Sequence, residues 1–277
     1  MGSRSEELVS NSTLAIDSDR AELHIGSHGW SSTELEWMYP KGLTTVGKLQ
    51  FYAQMFNAVE VDQTFYSLDC LKSYKSWLEV VPRAFRFSLK TPRIITHEKR
   101  LHNPEVEMTE FLTAAREFED HLGPILVQLS PHFTIEHAEW LRAFLEKLPF
   151  GEMQFAVEVR NHFLWSEEIP YLMEKYPFIP VTTNLVTSPQ GLRTSNGIGY
   201  VRWLGLGAER GQSPRTPEQF YEESLAWSES IRDLQITHEA RNVYTFVGHG
   251  YFGPGVIGAA RLRKLLGDPV TFPGALF

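Results

Sequence analysis

The 277 residues contain one cysteine, Cys70, so an internal disulfide framework and any metal site built from thiolates are excluded. A reducing compartment is the natural expectation, and Cys70 itself reads as a small, partly buried side chain. Long apolar runs are also lacking. None approaches the roughly 18 residues of a membrane span, and the first twenty residues have neither the basic start nor the apolar middle of a secretory signal. Positive charge is scarce: 26 Lys+Arg face 34 Asp+Glu, a formal net charge of -8. That balance excludes a surface built as a whole for nucleic acid or anionic membrane and leaves room for a local basic pocket. Ten histidines are scattered with no His-Glu-x-x-His pair, and no acidic calcium loop occurs. Dinucleotide and Walker patterns, internal repeats and linkers are missing too. The expectation is a cytoplasmic protein with no membrane association and no obligate protein partner evident.

What is present is an ordinary globular composition, 42% hydrophobic and 22% charged. The polar, serine-rich opening, residues 1–21, reads as a disordered tail ahead of one folded domain over 22–277. Within that domain, short apolar runs alternate with segments of helical period. Eight strands are expected: "LHIGS" (23–27), "AVEVDQTF" (58–65), "FRFSLK" (85–90), "ILVQLS" (125–130), "FAVEVR" (155–160), "IPVTTN" (179–184), "YVRWLG" (200–205) and "VYTFVG" (243–248). Helical stretches between them include "TIEHAEWLRAFLEKL", with Thr134 as a cap and Ile135, Ala138, Leu141, Leu145 and Leu148 on one side. Only "LVTSPQGLRTSNG" is too poor in helix formers to carry a helix. Eight alternations predict an α/β fold, a (β/α)8 TIM barrel, although an open doubly wound sheet gives the same local signals.

Because strand side chains alternate between faces, parity sorts them. Val59 and Val61 share one face, and Glu60, Asp62 and Thr64 the other. Phe85, Phe87 and Leu89 oppose Arg86, Ser88 and Lys90; Phe155, Val157 and Val159 oppose Ala156, Glu158 and Arg160. Gln128 and Arg202 likewise fall opposite apolar neighbours. If the apolar faces pack under helices, Glu60, Asp62 and Glu158 point inward with Arg86, Lys90, Arg160 and Arg202. Such charges must pair, since an unpaired buried ion costs several kcal/mol. They either fill the interior as a salt-bridged network or build a site at the carboxyl ends of the strands, where barrel enzymes place theirs.

The loops on that side add further candidates. "GLGAERG" follows the seventh strand and "GHGYFGPG" the eighth, positions where glycine lets backbone N–H groups approach an anion. They supply Gly205, Gly207, His249 and Gly250 as substrate-binding candidates. "KTPRIITHEKRL" after the third strand supplies Lys90, Arg93 and His97, the last as a proton shuttle.

The segments "IGSHGW", "YPKGL", "FNAVEVDQTFY", "FRFSLKTPRIITHEKRL", "GPILVQLSPHF", "FAVEVRNHFLW" and "YVRWLG" resemble the domain of unknown function 72, or YecE-like, family over about residues 25–267. The resemblance implies a TIM barrel of unestablished activity. It also implies Glu60, Thr64, Lys90, Arg93, His97, Gln128, Glu158, Arg160 and Arg202 as recurrent polar positions. This chain departs from the family at Asp62, where relatives usually have Asn, at Leu204, where they often have His, and at Val247-Gly248, where Asn-Asn is typical.

The leading expectation is an enzyme, a hydrolase or lyase, acting on a small anionic, phosphorylated substrate. In it Glu60 and Glu158 serve as acid and base with Lys90 and His97. Asp62, Thr64, Arg93, Gln128, Arg160, Arg202, Gly205, Gly207, His249 and Gly250 bind the substrate. The alternatives are metal-assisted phosphodiester cleavage, a non-catalytic nucleotide or nucleic-acid binder using aromatics such as Trp30, Tyr66 and Trp165, and, last, glycoside hydrolysis. The cofactor is unknown; a divalent metal is left open without support from any local motif.

Overall fold

The structure, a computed structural model, describes residues 20–184, 191–204, 216–237, 239–249 and 255–272. Strands β1 (Glu22–Ser27), β2 (Ala58–Val61), β3 (Arg86–Leu89), β4 (Ile125–Gln128), β5 (Phe155–Glu158) and β6 (Ile179–Thr183) are joined by β8 (Ile198–Trp203) and β9 (Asn242–Val247). All eight expected strands are therefore present. A short β7 (Thr194–Ser195) hairpins onto β8 through Asn196 and Gly197, both at positive φ, the turn that Asn-Gly favours. It lies in the segment too poor in helix formers for a helix.

The result is an α/β fold on a curled parallel sheet. Six strands run in the order β1-β9-β8-β6-β5-β4, while β2 and β3 form a separate parallel pair. The expected closed barrel is thus met in part. The ladder is interrupted on both sides of the β2-β3 pair; backbone bonds from Gly123 N–H to Phe87 O and Thr91 N–H to Leu126 O bridge the β3-β4 seam, and side chains take over at the β1-β2 seam. Between β1 and β2, Asn57 Oδ1 accepts from Ile25 N–H at 3.0 Å, and Asn57 Nδ2 donates to Leu23 O at 2.7 Å. Tyr52 Oη accepts from Ser27 N–H at 2.8 Å and donates to Ala58 O at 3.1 Å. These bonds satisfy backbone groups that a regular ladder would have paired. Gly26 is required at this seam, because a Cβ there would lie 1.9 Å from Ala58 O. Single parallel bridges, His28 with Glu60 and Lys90 with Leu126, mark the two seams.

Parity sorted the faces correctly. Val59, Val61, Phe87, Leu89, Ile125, Val127, Phe155 and Val157 belong to the large core shared with the helices. Ala58, Leu126, Ala156, Ile179, Val181, Tyr200, Tyr244 and Phe246 form a second cluster on the other face, drawn from both sheets. Outside the sheet lie α1 (Thr45–Tyr52), α2 (Tyr74–Leu78), α3 (Glu105–Arg116), α4 (Ala138–Glu146), α5 (His162–Glu167), α6 (Ile169–Lys175), α7 (Pro217–Ile236) and α8 (Gly255–Leu265).

Three expectations need correction. Residues 135–137 form a 3-10 turn, whose three-residue period carries Ile135 off the buried stripe of α4, leaving it 41% exposed. The second strand ends at Val61, and Asp62–Phe65 turns into a 3-10 helix. Trp30 is buried against Trp77 at 4.8 Å between ring centroids, so it belongs to the core and offers no surface to a ligand.

Candidate functional site

Four inner-face residues are followed two positions later by a polar one. Ala58 leads to Glu60, Leu126 to Gln128, Ala156 to Glu158 and Tyr200 to Arg202, and all four polar side chains are buried. Two residues along a strand return the chain to the same face one layer higher, so these groups gather at the carboxyl ends. Arg202 is their centre. Its Nε donates to Glu60 Oε1 and Oε2, each at 3.0 Å, and its Nη2 to Glu60 Oε1 at 2.7 Å, while Nη1 donates to Glu158 Oε2. Glu60 Oε2 also accepts from the Tyr200 hydroxyl at 2.7 Å. Glu158 Oε1 accepts from Gln128 Nε2 at 2.9 Å and Arg160 Nε at 2.7 Å.

Burial alone would raise the Glu158 carboxyl, but Arg202 and Arg160 and their hydrogen bonds outweigh it and hold the group well below the usual carboxylate range. The two carboxylates likewise outweigh burial at Arg202 and keep its guanidinium charged.

On one flank, Lys90 Nζ lies 3.3 Å from Asp62 Oδ1 and 4.3 Å from the Phe65 ring centroid. Asp62, about a third exposed, stands 3.7 Å from Arg202 Nη2 and 3.5 Å from His28 Nδ1, and His28 Nε2 is 3.3 Å from Glu60 Oε1. Burial opposes the charge on Asp62, yet His28, Lys90 and Arg202 pull it well below its ordinary range. Burial likewise lowers His28, with Arg202 and Lys90 adding to the effect and the two carboxylates opposing it. Among the described residues, neither His28 Nε2 nor Asp62 Oδ1 makes a hydrogen bond of regular geometry.

On the other flank, Arg160 donates only its Nε to a described residue. His97 Nδ1 lies 2.9 Å from Thr96 Oγ1. Partial burial and the charges of Lys90, Arg160 and Arg93 push His97 down to about 4, so its ring is neutral at pH 7. Arg93 is more than half exposed, 3.5 Å from Glu98.

Glu60, Asp62, Lys90, Gln128, Glu158, Arg160 and Arg202 therefore come together, with His97 and Arg93 beside them. Other candidates do structural work. The Thr64 hydroxyl, 2.6 Å from Lys90 O and 2.7 Å from Val61 O, ties the ends of β2 and β3. His249 accepts from Gly255 N–H at Nδ1 (3.0 Å) and donates from Nε2 to His28 O (2.7 Å), so both ring nitrogens are engaged by backbone. Arg86 opens β3 and donates to Arg83 O and Phe85 O, at the opposite end of the strands from the site. Gly205, Gly207 and Gly250 lie outside the described residues.

Sequence reasoning missed His28, Tyr200 and Ser88 Oγ, which sits 2.6 Å from the Tyr200 hydroxyl and donates to Pro124 O at 2.5 Å. Parity applied to the first strand would have set His28 opposite Ile25 and exposed the first of these.

Among the described residues, His28, Glu60 and Asp62 place three potential ligand atoms within 4.8 Å of one another. The fit to a divalent metal is poor. Both Glu60 oxygens already accept from Arg202, and Lys90 and Arg202 crowd Asp62, so an ion would have to displace a guanidinium and sit against two cations. A cavity of about 150 Å³ lies elsewhere, lined by Leu101, Met108, Leu112, Trp140, Phe144 and Leu148 at α3 and α4. Glu105 and Lys147 also line it, and none of the residues of the charged layer does.

The class defined is an α/β protein with a buried, charge-balanced cluster at the carboxyl ends of a curled parallel sheet. The sequence matches the family described as "Protein of unknown function DUF72" over residues 24–274, and the chain belongs to that family. It is 34% identical over 127 residues to the UPF0759 protein YecE of Escherichia coli K12, covering 46% of each chain. It is 26% identical over 157 residues to YunF of Bacillus subtilis 168, covering 52% of each. It thus spans about half the length of the curated relatives it matches. A DUF72 family structure from Thermotoga maritima MSB8 superposes with a TM-score of 0.71 at 24% identity, over 89% of this chain and 100% of the other. One from Enterococcus faecalis V583 gives 0.68 at 21%, over 90% and 99%. At these identities the structures establish a shared fold alone. No helix among the described residues is long and apolar enough to cross a membrane.

Proposed function

We propose that the protein is an enzyme, a hydrolase or lyase, acting on a small phosphorylated substrate at the carboxyl ends of eight strands that close into a (β/α)8 barrel. The inner apolar cluster drawn from both sheets and the parallel bridges at the two seams support that closure. The observation that carries the substrate class is the state of Arg160. Its Nε is anchored on Glu158, its side chain is 19% exposed, and its two Nη groups donate to no other described residue. A guanidinium held at its inner edge and open at its outer edge is a pre-organised oxyanion clamp. Lys90 and Arg93 add charge beside it.

Roles within the site follow from the pairing. Glu158 is driven away from protonation and acts as the anchor for Arg160 and Arg202, in place of the acid or base role first expected. Arg202 is engaged by two carboxylates and holds the layer together. Proton exchange falls to the neutral imidazoles, His97 beside the cations and His28 between two carboxylates that would stabilise its imidazolium. Glycoside hydrolysis fits poorly, because it needs one carboxyl kept protonated and Glu158 is driven the other way. Metal-assisted cleavage rests on the unpartnered His28 Nε2 and Asp62 Oδ1 and is opposed by the cations around them.

The test is thermal denaturation with a panel of phosphorylated metabolites. A ligand at about 100 times its Kd adds about 2.7 kcal/mol, a rise of about 5–10 °C for a chain of this size. Arg160→Gln should abolish the rise while leaving the unliganded Tm within a few degrees. A panel with no effect on the native protein, or an undiminished response in the variant, removes the reading.

A further inference from the structure

Three large apolar side chains stand exposed around the site, each five residues beyond the end of a strand that reaches it. Tyr66 follows β2, Ile94 follows β3 and Phe163 follows β5, with exposures of 79%, 39% and 58%. A single exposed hydrophobe needs no explanation, whereas several around one charged mouth mark a ligand surface.

Tyr66 is the most exposed of them. Its ring stands edge-on to Phe65, at 5.1 Å and 90°. Phe65 is itself fixed from two sides, by Lys90 Nζ 4.3 Å above its face and by the His97 ring at 4.9 Å and 85°. A chain of edge-to-face ring contacts therefore leads from the cationic group to an exposed tyrosine. Its inner end carries Lys90 and His97, and its outer end presents a free tyrosine face. Phe163, packed on His162 at 4.0 Å, comes three residues after Arg160.

Resting on the anion-binding reading above, we infer that the ligand carries a planar aromatic base as well as its phosphate, and that it is a nucleoside monophosphate. The phosphate would lie on the outer edge of Arg160 with Lys90 and Arg93, and the base on the outer face of Tyr66. A sugar phosphate would leave that face in water. An indifferent surface gains nothing from a ring held so openly, whereas a stacked base gains contact without needing base-specific hydrogen bonds. The net charge of -8 over the whole chain favours a small nucleotide over an extended polyanion.

The experiment is titration calorimetry of the full chain with inorganic phosphate, ribose 5-phosphate, adenosine, adenosine 5′-monophosphate and a short single-stranded oligonucleotide. The native protein should bind the monophosphate about tenfold more tightly than ribose 5-phosphate, the gain expected of one stacked base. Tyr66→Ala should remove that gain, and Tyr66→Phe should keep it, because the ring and not its hydroxyl is used. Equal affinity for the monophosphate and ribose 5-phosphate, or an unchanged preference in Tyr66→Ala, overturns the inference and leaves the anion site standing. Failure of every phosphate compound to bind overturns both. An oligonucleotide bound about tenfold more tightly than the monophosphate, with a steep salt dependence, would transfer the site to nucleic acid and overturn the assignment to a mononucleotide.

Discussion

The inner face of the strands has two layers separated by two residues of sequence and by opposite chemistry. The lower is apolar and aromatic, with Ala58, Leu126, Ala156 and Tyr244. The upper is charged, with Glu60, Gln128, Glu158 and Arg202. Tyr200 belongs to both, its ring stacked at 6.4 Å on that of Tyr244 and its hydroxyl donated upward to Glu60. The dry floor sharpens the electrostatics above it. Excluding water from beneath Arg202 strengthens each of its hydrogen bonds and makes each of its partners costly to orphan. Stability in the lower layer comes from area buried, and in the upper layer from complete pairing.

That difference can be broken most severely at Arg202. Arg202→Met leaves Glu60 and Glu158 buried without their shared partner and should cost about 3–5 kcal/mol in denaturant unfolding. Combining it with Glu60→Leu and Glu158→Leu should recover most of that loss while anion binding disappears, because an apolar layer no longer needs pairing. A triple variant as unstable as the single one would show that the charges are required for the fold itself. Tyr200→Phe probes the boundary and should cost less, about 1–3 kcal/mol, since Glu60 loses the hydroxyl donor while Arg202 keeps its own partners.

The smallest effect is the pH profile, which separates the layers without mutation. His97 titrates at about 4 in the folded protein against 6.5 unfolded, so the unfolded chain takes up its proton first. Stability from this group is complete above pH 6.5 and is lost as pH falls toward 4. Glu158 and Asp62 are depressed below their ordinary ranges, so their contribution persists to about pH 4.5 and is lost below it. In the floor, burial pushes Tyr244 up to about 12 and Tyr200 well above its usual value, so both stay neutral in acid and add no slope. Unfolding free energies measured from pH 7 to 3.5 should fall in two stages, the first shared by His97 and the buried His28, so that His97→Gln should make it shallower and His97→Gln with His28→Gln shallower still. A flat profile would contradict the placement of these charges.

Much of the fold was legible because its signals are local. The period-two alternation that sent Phe87 and Leu89 one way and Ser88 and Lys90 the other needs no tertiary information. The same rule found Glu60, Glu158 and Arg202. It placed Asp62 with them although the strand stops one residue earlier, and it failed where height along the strand mattered, as at Arg86, which has the right parity at the wrong end. It also said nothing of His249, whose two nitrogens serve backbone groups, or of Trp30, whose ring lies in the core.

The sequence by itself determined the order of strands and helices, the sign of each face and the family, since these depend on neighbours along the chain. Only the tertiary structure decided which charge meets which. Arg202 is 142 residues from Glu60 and 44 from Glu158, and its commitment to both leaves Arg160, among the described residues, with an open outer edge. Charge pairing acts through space over a few ångströms, and at such separations along the chain only the packing of the strands brings the partners within that reach.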